Sequence, residues 1–203
     1  AVKRSAELPA NLAVVPYAIR AIRSLDKRDY EGVKNEIKGA LRNADCPGVA
    51  SWLGSIAIAA DDEATARAAA LAAVSFSAIY PPARVLAARV ALLGNHIEEA
   101  KNAIDGLDPA MVDVALVRAA VAYERVDLVN LVQALAALSP EYQKLPPVAT
   151  FQAARGTLEG RSLFPVADLR RAIAEDIPGR DLILFDYALD RGDIDSAKLA
   201  SQK

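Results

Sequence analysis

The sequence predicts an all-helical protein built from about six stacked helix–turn–helix repeats. Three observations lead to this prediction. The composition is rich in alanine and poor in aromatic residues, several residue columns recur at intervals of 31 to 35 positions, and a capping residue recurs in step with those columns. Repeats of this length are typical of solenoids, in which each helix pair buries its apolar faces against its neighbours.

The composition favours closely packed helices. The chain has 203 residues, of which 53% are hydrophobic, so it can bury a sizeable core. About one residue in five is alanine, the best helix former. Only 5% are aromatic, so the core must consist of small side chains at short distances. Such a core suits helices pressed face to face and suits a β-sandwich poorly.

A column of small residues marks the first helix of each repeat, with intervals of 33, 34, 31, 35 and 31 positions. It consists of Ala21, Gly54, Ala88, Ala119, Ala154 and, as a large exception, Phe185. Residues three positions later are small, those four positions later are large and apolar, and those twelve positions later are apolar and mostly small. The shared spacing predicts a single solenoid domain over 1–203, with repeats near 14–46, 47–80, 81–111, 112–146, 147–177 and 178–203.

A capping column predicts where the second helix of each repeat begins. Eight positions after the small residue lie Asp29, Asp62, His96, Asp127, Ser162 and Asp193. All except His96 are preferred N-cap types, whose side-chain oxygen accepts a hydrogen bond from a backbone N–H one turn into the helix. Each repeat therefore reads as a helix, a tight turn and a capped helix, with prolines near the repeat boundaries.

These patterns resemble the tetratricopeptide repeat. The segments WLGSIAIAADDEATA (52–66), LLGNHIEEA (92–100) and LDRGDIDSA (189–197) carry the resemblance best, and it covers about residues 14–203. The resemblance implies a right-handed superhelix whose first helices line a concave groove. Phe185 and the two 31-residue intervals depart from the family pattern, so Sel1-like and generic helical-hairpin repeats remain alternatives.

The resemblance also implies which residues face the groove. In the first three repeats these positions are Ala18, Ile22, Leu25, Asp26, Ser51, Ser55, Ala59, Val85, Arg89, Leu92 and Leu93. Ala18 and Ile22 stand where chaperone-binding relatives carry a Lys and an Asn, so that carboxylate clamp is absent. An apolar groove suits an amphipathic helix or an apolar peptide. Arg89, Tyr123, Phe151 and Arg155 are the predicted partner-binding residues. Core packing between repeats is the alternative role for several of the apolar groove positions.

The sequence argues against an enzyme. His96 is the only histidine and lies at a predicted cap, and Cys46 is the only cysteine, which favours a half-buried, inert thiol. Asp61 and Asp62 are predicted to cap a helix and to interact favourably with the positive end of its dipole. Trp52, next to the small column, is predicted to be core. We therefore predict no catalytic residues, no metal site and no cofactor.

Charge and hydropathy argue against two further classes of protein, those that bind nucleic acid and those that span a membrane. A net charge of −2 and a pI of about 5.5 give no basic footprint for nucleic acid. No apolar run approaches the roughly 18 residues of a membrane span. Residues 1–45 carry a charge of +3 and residues 175–203 carry −3, which allows weak head-to-tail self-association as an alternative to ordinary solvated faces.

The predicted function is a protein-interaction scaffold or adaptor, with a bacterial origin suggested by the alanine content. The alternative is a non-catalytic superhelical domain of a larger bacterial enzyme, such as a cell-wall lytic enzyme. The last predicted helix reaches the end of the sequence partway through, so we expect the chain to be a fragment. Cytoplasm and periplasm both fit, with the cytoplasm favoured.

Overall fold

The protein is all-helical over the part described by its computed structural model, residues 13–158, 188 and 193–201. No β-strand occurs in those ranges, which confirms the predicted fold class at that level. The chain divides into two compact units, Ala1–Asp105 and Gly106–Lys203. Ser162, Phe185, Leu189 and the other predicted column positions between 159 and 187 or 189 and 192 lie outside the described residues.

Unit 1 contains three helical hairpins. Their helices are α1 (Val15–Asp26), α2 (Tyr30–Leu41), α3 (Pro47–Ala59), α4 (Glu63–Phe76), α5 (Pro81–Leu93) and α6 (Ile97–Ala103). Unit 2 contains α7 (Val112–Glu124), α8 (Leu128–Ala136), a 3₁₀ turn (Tyr142–Lys144), α9 (Pro146–Leu158) and α10 (Ile194–Ser201). We call α1, α3, α5, α7 and α9 first helices, and α2, α4, α6 and α8 second helices.

Helix contacts follow the same order in each unit. In unit 1 every first helix packs against its own second helix, α1 also contacts α3, and α3 also contacts α5. The second helices α2 and α4 contact each other and the first helix that follows each of them. In unit 2, α7 contacts α8, and both contact α9. Within unit 1, each hairpin therefore buries its faces against the next hairpin along the chain.

The turn between the two helices of a hairpin has one geometry in four hairpins. Arg28, Asp61, Asn95 and Val126 all have positive φ, between 54° and 58°, and they follow one another at intervals of 33, 34 and 31 residues. In each case the next residue donates its N–H to a carbonyl five positions back, as Asp62 does to Ala57 at 3.0 Å. This pairing is the Schellman motif, which satisfies the last carbonyls of a helix.

The residue columns that face inward are buried. Ala21, Ala88 and Ala119 of the small column are fully buried, and so are Val33, Ala66, Ala100 and Leu131 twelve positions after it. Gly54 shows why the small column must be small. A Cβ at this position would lie 2.4 Å from Leu86 Cδ2 on α5 and 3.1 Å from Ala69 Cβ on α4. Two neighbouring helices thus approach α3 at the same point.

The predicted caps form at the aspartates. Asp29, Asp62, Asp127 and Asp193 accept from the backbone N–H three residues later, over 2.9 to 3.1 Å. His96 makes no side-chain cap bond, and its side chain is exposed. Burial tends to raise the pKa of Asp62, but hydrogen bonds from the Thr65 hydroxyl and backbone N–H outweigh it, so the pKa of this carboxyl is lowered.

Candidate functional site

The first helices of unit 1 expose large apolar side chains on neighbouring helices. Ile22 on α1 is 39% exposed, Trp52 on α3 is 46% exposed, and Leu93 on α5 is 37% exposed. Because α1 contacts α3 and α3 contacts α5, these side chains belong to adjacent helices. We call this face the first-helix surface and define it by Ile22, Trp52, Ser55, Ala59, Arg89 and Leu93.

The helix register explains which groove positions reach this surface. Residues five positions after the small column, such as Ala59 and Leu93, are exposed, and Ser55 and Arg89, one position after it, are half-buried. Residues three positions before it are core: Ala18, Ser51 and Val85 are all buried. Those three do not line a groove and have the alternative role of core packing, because that side of each first helix packs inside the unit.

Arg89 is the one charged residue among those that define the first-helix surface, and Asp26, the α1 residue in register with Ala59 and Leu93, adds an exposed carboxylate at the end of α1. Its side chain is half-buried, and within the described part of the chain it has no salt-bridge partner. A guanidinium with apolar surroundings and a partly removed hydration shell is a strong donor for a carboxylate, which it can hold through two hydrogen bonds. The surface therefore combines three large apolar groups with one cation on α5, and has a carboxylate at its α1 end.

The other three predicted binding residues lie in unit 2. Tyr123 is on α7, and Phe151 and Arg155 are four residues apart on α9, which contacts α7. Phe151 packs against the core cluster that includes Ala115, Leu131 and Val148, so part of its side chain is structural. Tyr123 and Arg155 are half-buried, and both already interact with other groups. Arg89 belongs to unit 1, so the four residues fall into two groups.

Trp52 corrects a sequence prediction. It was expected in the core, but nearly half of its surface is exposed. On α3 the residue in close contact with the neighbouring helices is Gly54, which Leu86 and Ala69 approach. Trp52, two positions earlier, points away from that contact and is therefore exposed. Nothing in the residue pattern identifies this exposure, because Leu86 occupies the same register position on α5 and is buried.

The surface carries no carboxylate clamp of the chaperone-binding type. Ala18 is fully buried and Ile22 presents an apolar side chain, so neither position of the first repeat offers a donor. A carboxylate held at this end of the surface would meet the apolar Ile22 and the exposed carboxylate of Asp26. A hydrogen-bond donor for it would have to come from Arg89, two first helices away.

Groups with chemical reactivity are scattered. Cys46 is half-buried at the start of α3, and His96 is exposed at the start of α6. Among the described residues, no three His, Cys, Asp or Glu side chains come together in a way that could hold a metal ion. No helix in the same ranges has the length and apolar character needed to span a membrane.

Comparison with protein-family models, with curated proteins and with solved structures found no match for this chain.

Proposed function

We propose that the chain is a tetratricopeptide-like solenoid that acts as a protein-interaction scaffold and binds a segment of another protein. Two features support the repeat assignment. The positive-φ turn residues recur at the spacing of the small column, and each hairpin of a unit packs against the next in the same order. Such stacking produces an extended binding surface from short repeats. The role is binding, with no catalytic step.

The exposed apolar residues on adjacent first helices are the observation that carries this proposal. Ile22, Trp52 and Leu93 are large exposed apolar side chains on three neighbouring helices, and exposed apolar surface of this kind marks interaction sites when it is contiguous. Tryptophan and arginine dominate the energetics of protein interfaces. Trp52 and Arg89 are therefore the proposed anchors of unit 1, and Tyr123, Phe151 and Arg155 make the corresponding contacts in unit 2.

The chemistry of the surface defines the partner. Apolar side chains spread over neighbouring helices suit an amphipathic helix with apolar residues at i, i+4 and i+7, or an extended apolar peptide. Arg89 selects a partner that places an Asp or Glu beside its apolar stripe. The expected ligand is an acidic amphipathic peptide.

Trp52 provides a direct test, because it is the only tryptophan in the chain and lies on the proposed surface. A panel of amphipathic helical peptides, acidic and basic versions of each, is titrated into the protein while Trp52 emission is recorded. Acidic peptides should shift the emission to shorter wavelength as the indole leaves water, and Arg89→Ala should weaken their affinity about tenfold or more.

Two controls make the test specific. Tyr30→Ala removes an exposed aromatic side chain from the second helix α2 and should leave affinity unchanged. Trp52→Phe should abolish the emission signal and reduce affinity measured by calorimetry. Peptides that bind without any change in Trp52 emission, and equally well to Arg89→Ala, would place the binding site elsewhere.

A further inference from the structure

The outward faces of the second helices differ in charge although they share one register. Four exposed positions on α4 form a stripe at i, i+4, i+7 and i+11: Ala64, Ala68, Leu71 and Ser75. The matching positions 33 residues earlier are Glu31, Asn35 and Lys38 on α2 and Arg42 directly after its last residue, and all are exposed. We call these four-residue sets the outer stripes of α4 and α2.

The apolar character of α4 continues past its end. Leu71 is 68% exposed, Phe76 at the last position of α4 is exposed, and Ile79 in the following loop is 84% exposed. No charged residue occurs anywhere in the sequence from Ala68 to Ala83. The nearest charges on the helix, Glu63 and Arg67, pair with each other over 2.9 Å. The outer stripe of α4 is thus uncharged, with the Glu63–Arg67 pair beside it and exposed apolar residues near the end of the helix.

From these observations we propose that the outer stripe of α4 is a self-association surface, on which α4 of a second copy of this chain packs antiparallel about a two-fold axis. A two-fold contact brings residues near the axis close to their own copies, so a charge there would repel itself. The outer stripe of α4 has no such charge, whereas in the same pairing of α2 the Lys38 side chains of the two copies would lie near each other across the axis.

Side-chain sizes fit this pairing. With the axis between Ala68 and Leu71, the large Leu71 of each copy lies over the small Ala68 of the other, and Ala64 lies opposite Ser75. Large side chains over small ones allow two helices to interdigitate at the short end of the usual 8–10 Å axial separation. The antiparallel orientation also sets the opposite ends of the two helix dipoles side by side.

A lipid surface is the less suitable occupant. Helices that lie on membranes usually carry several Lys or Arg residues beside the apolar face. On α4 the only basic residue is Arg67, and Glu63 neutralises it. The uncharged face therefore matches a copy of itself better than an anionic headgroup.

The size of the surface predicts a weak dimer. Helix α4 has 14 residues, which gives a length of about 21 Å. A single helix face of this length falls short of the roughly 800 Å² per partner found in stable complexes. Association should therefore depend on concentration in the micromolar to millimolar range.

The test is sedimentation equilibrium of the full chain from about 10 μM to about 1 mM. The wild-type mass should rise toward that of a dimer, and Leu71→Glu should raise the dissociation constant at least about tenfold. Lys38→Glu, at the matched position on α2, should dimerise like wild type. Both positions are exposed, and thermal unfolding followed by circular dichroism checks that each variant is folded.

A cross-linking experiment tests the geometry itself. In a Cys46→Ser background, Ala68→Cys and Leu71→Cys chains are mixed and oxidised, and a disulfide between the two different chains should form, because the pairing brings these positions within bonding distance. A wild-type chain that stays monomeric to about 1 mM overturns the proposal. So does a Leu71→Glu variant that dimerises normally, or phosphatidylcholine vesicles that bind wild type but not Leu71→Glu.

Discussion

Helices α2 and α4 are second helices of neighbouring hairpins, yet they are alike on one side and unlike on the other. Both begin at a capping aspartate, and both bury the residue twelve positions after the small column, Val33 in α2 and Ala66 in α4. Their outer stripes share only exposure, since one is charged and the other is not. Packing fixes the inward side of a repeat, while the outward side is free to serve a partner.

The largest loss of stability should come from a substitution on the buried side of a helix. Gly54→Ala places a methyl group 2.4 Å from Leu86 Cδ2, so α5 must move or Leu86 must leave its rotamer. We expect a loss of about 2 kcal/mol in the free energy of unfolding, measured by urea denaturation. The gain in helix propensity from glycine to alanine offsets only part of this loss.

Gly48→Ala is the matched control in the same helix. A Cβ at Gly48 would meet only the Tyr80 hydroxyl, at 3.3 Å, and that atom ends a side chain that can move. Its denaturation midpoint should stay at or slightly above that of wild type. Equal losses for the two glycines would show that the small column does not mark the close contact between helices.

How much the sequence could predict also differs between the inward and outward sides of the helices. The small column, which includes Ala21, Gly54 and Ala88, could be predicted because close helix contacts permit few residue types. The positions of the turns were predicted but their positive-φ geometry was not, because Arg28, Asp61 and Val126 share a positive φ but no side-chain chemistry. The first-helix surface was predicted only in part, because burial at a given register position depends on the neighbouring helix, as Trp52 and Leu86 show.

The aspartate cap that both α2 and α4 possess should contribute a smaller, pH-dependent amount to the free energy of unfolding. Asp62→Ala removes the acceptor for the Thr65 N–H and should cost about 1 kcal/mol near neutral pH. Because the pKa of Asp62 is lowered in the folded protein, this stability is present above the unfolded pKa of about 3.9 and is lost as pH falls through the folded pKa.

Unfolding free energies of wild type and Asp62→Ala, compared from pH 7 to pH 3, check this linkage. The difference between the two proteins should shrink below about pH 4. Asp29→Ala provides the matched change on α2 and should cost a similar amount at pH 7. A difference that persists unchanged at low pH would mean that the Asp62 carboxylate does not act as a charged cap.

The turn between the helices offers a change in the stabilising direction. Val126 has φ 54°, a conformation that is strained for a β-branched residue, and its side chain is 71% exposed. Asn95 occupies the same turn position in unit 1. Val126→Asn should therefore raise the free energy of unfolding by about 0.5–1 kcal/mol. Asn95→Val should lower it by a similar amount, and thermal unfolding of both variants tests the pair.

The smallest effect on stability is expected from exchanging the outer stripes. Leu71→Lys on α4 and Lys38→Leu on α2 alter exposed side chains on faces that take no part in the core, so each should change the free energy of unfolding by less than about 0.5 kcal/mol. Urea denaturation at low protein concentration keeps any association out of the measurement. A loss of 1 kcal/mol or more in Leu71→Lys would show that Leu71 packs within its own chain. Stability unchanged in both variants, with self-association weakened only by Leu71→Lys, would mean that the outward chemistry of α4 reflects what it binds.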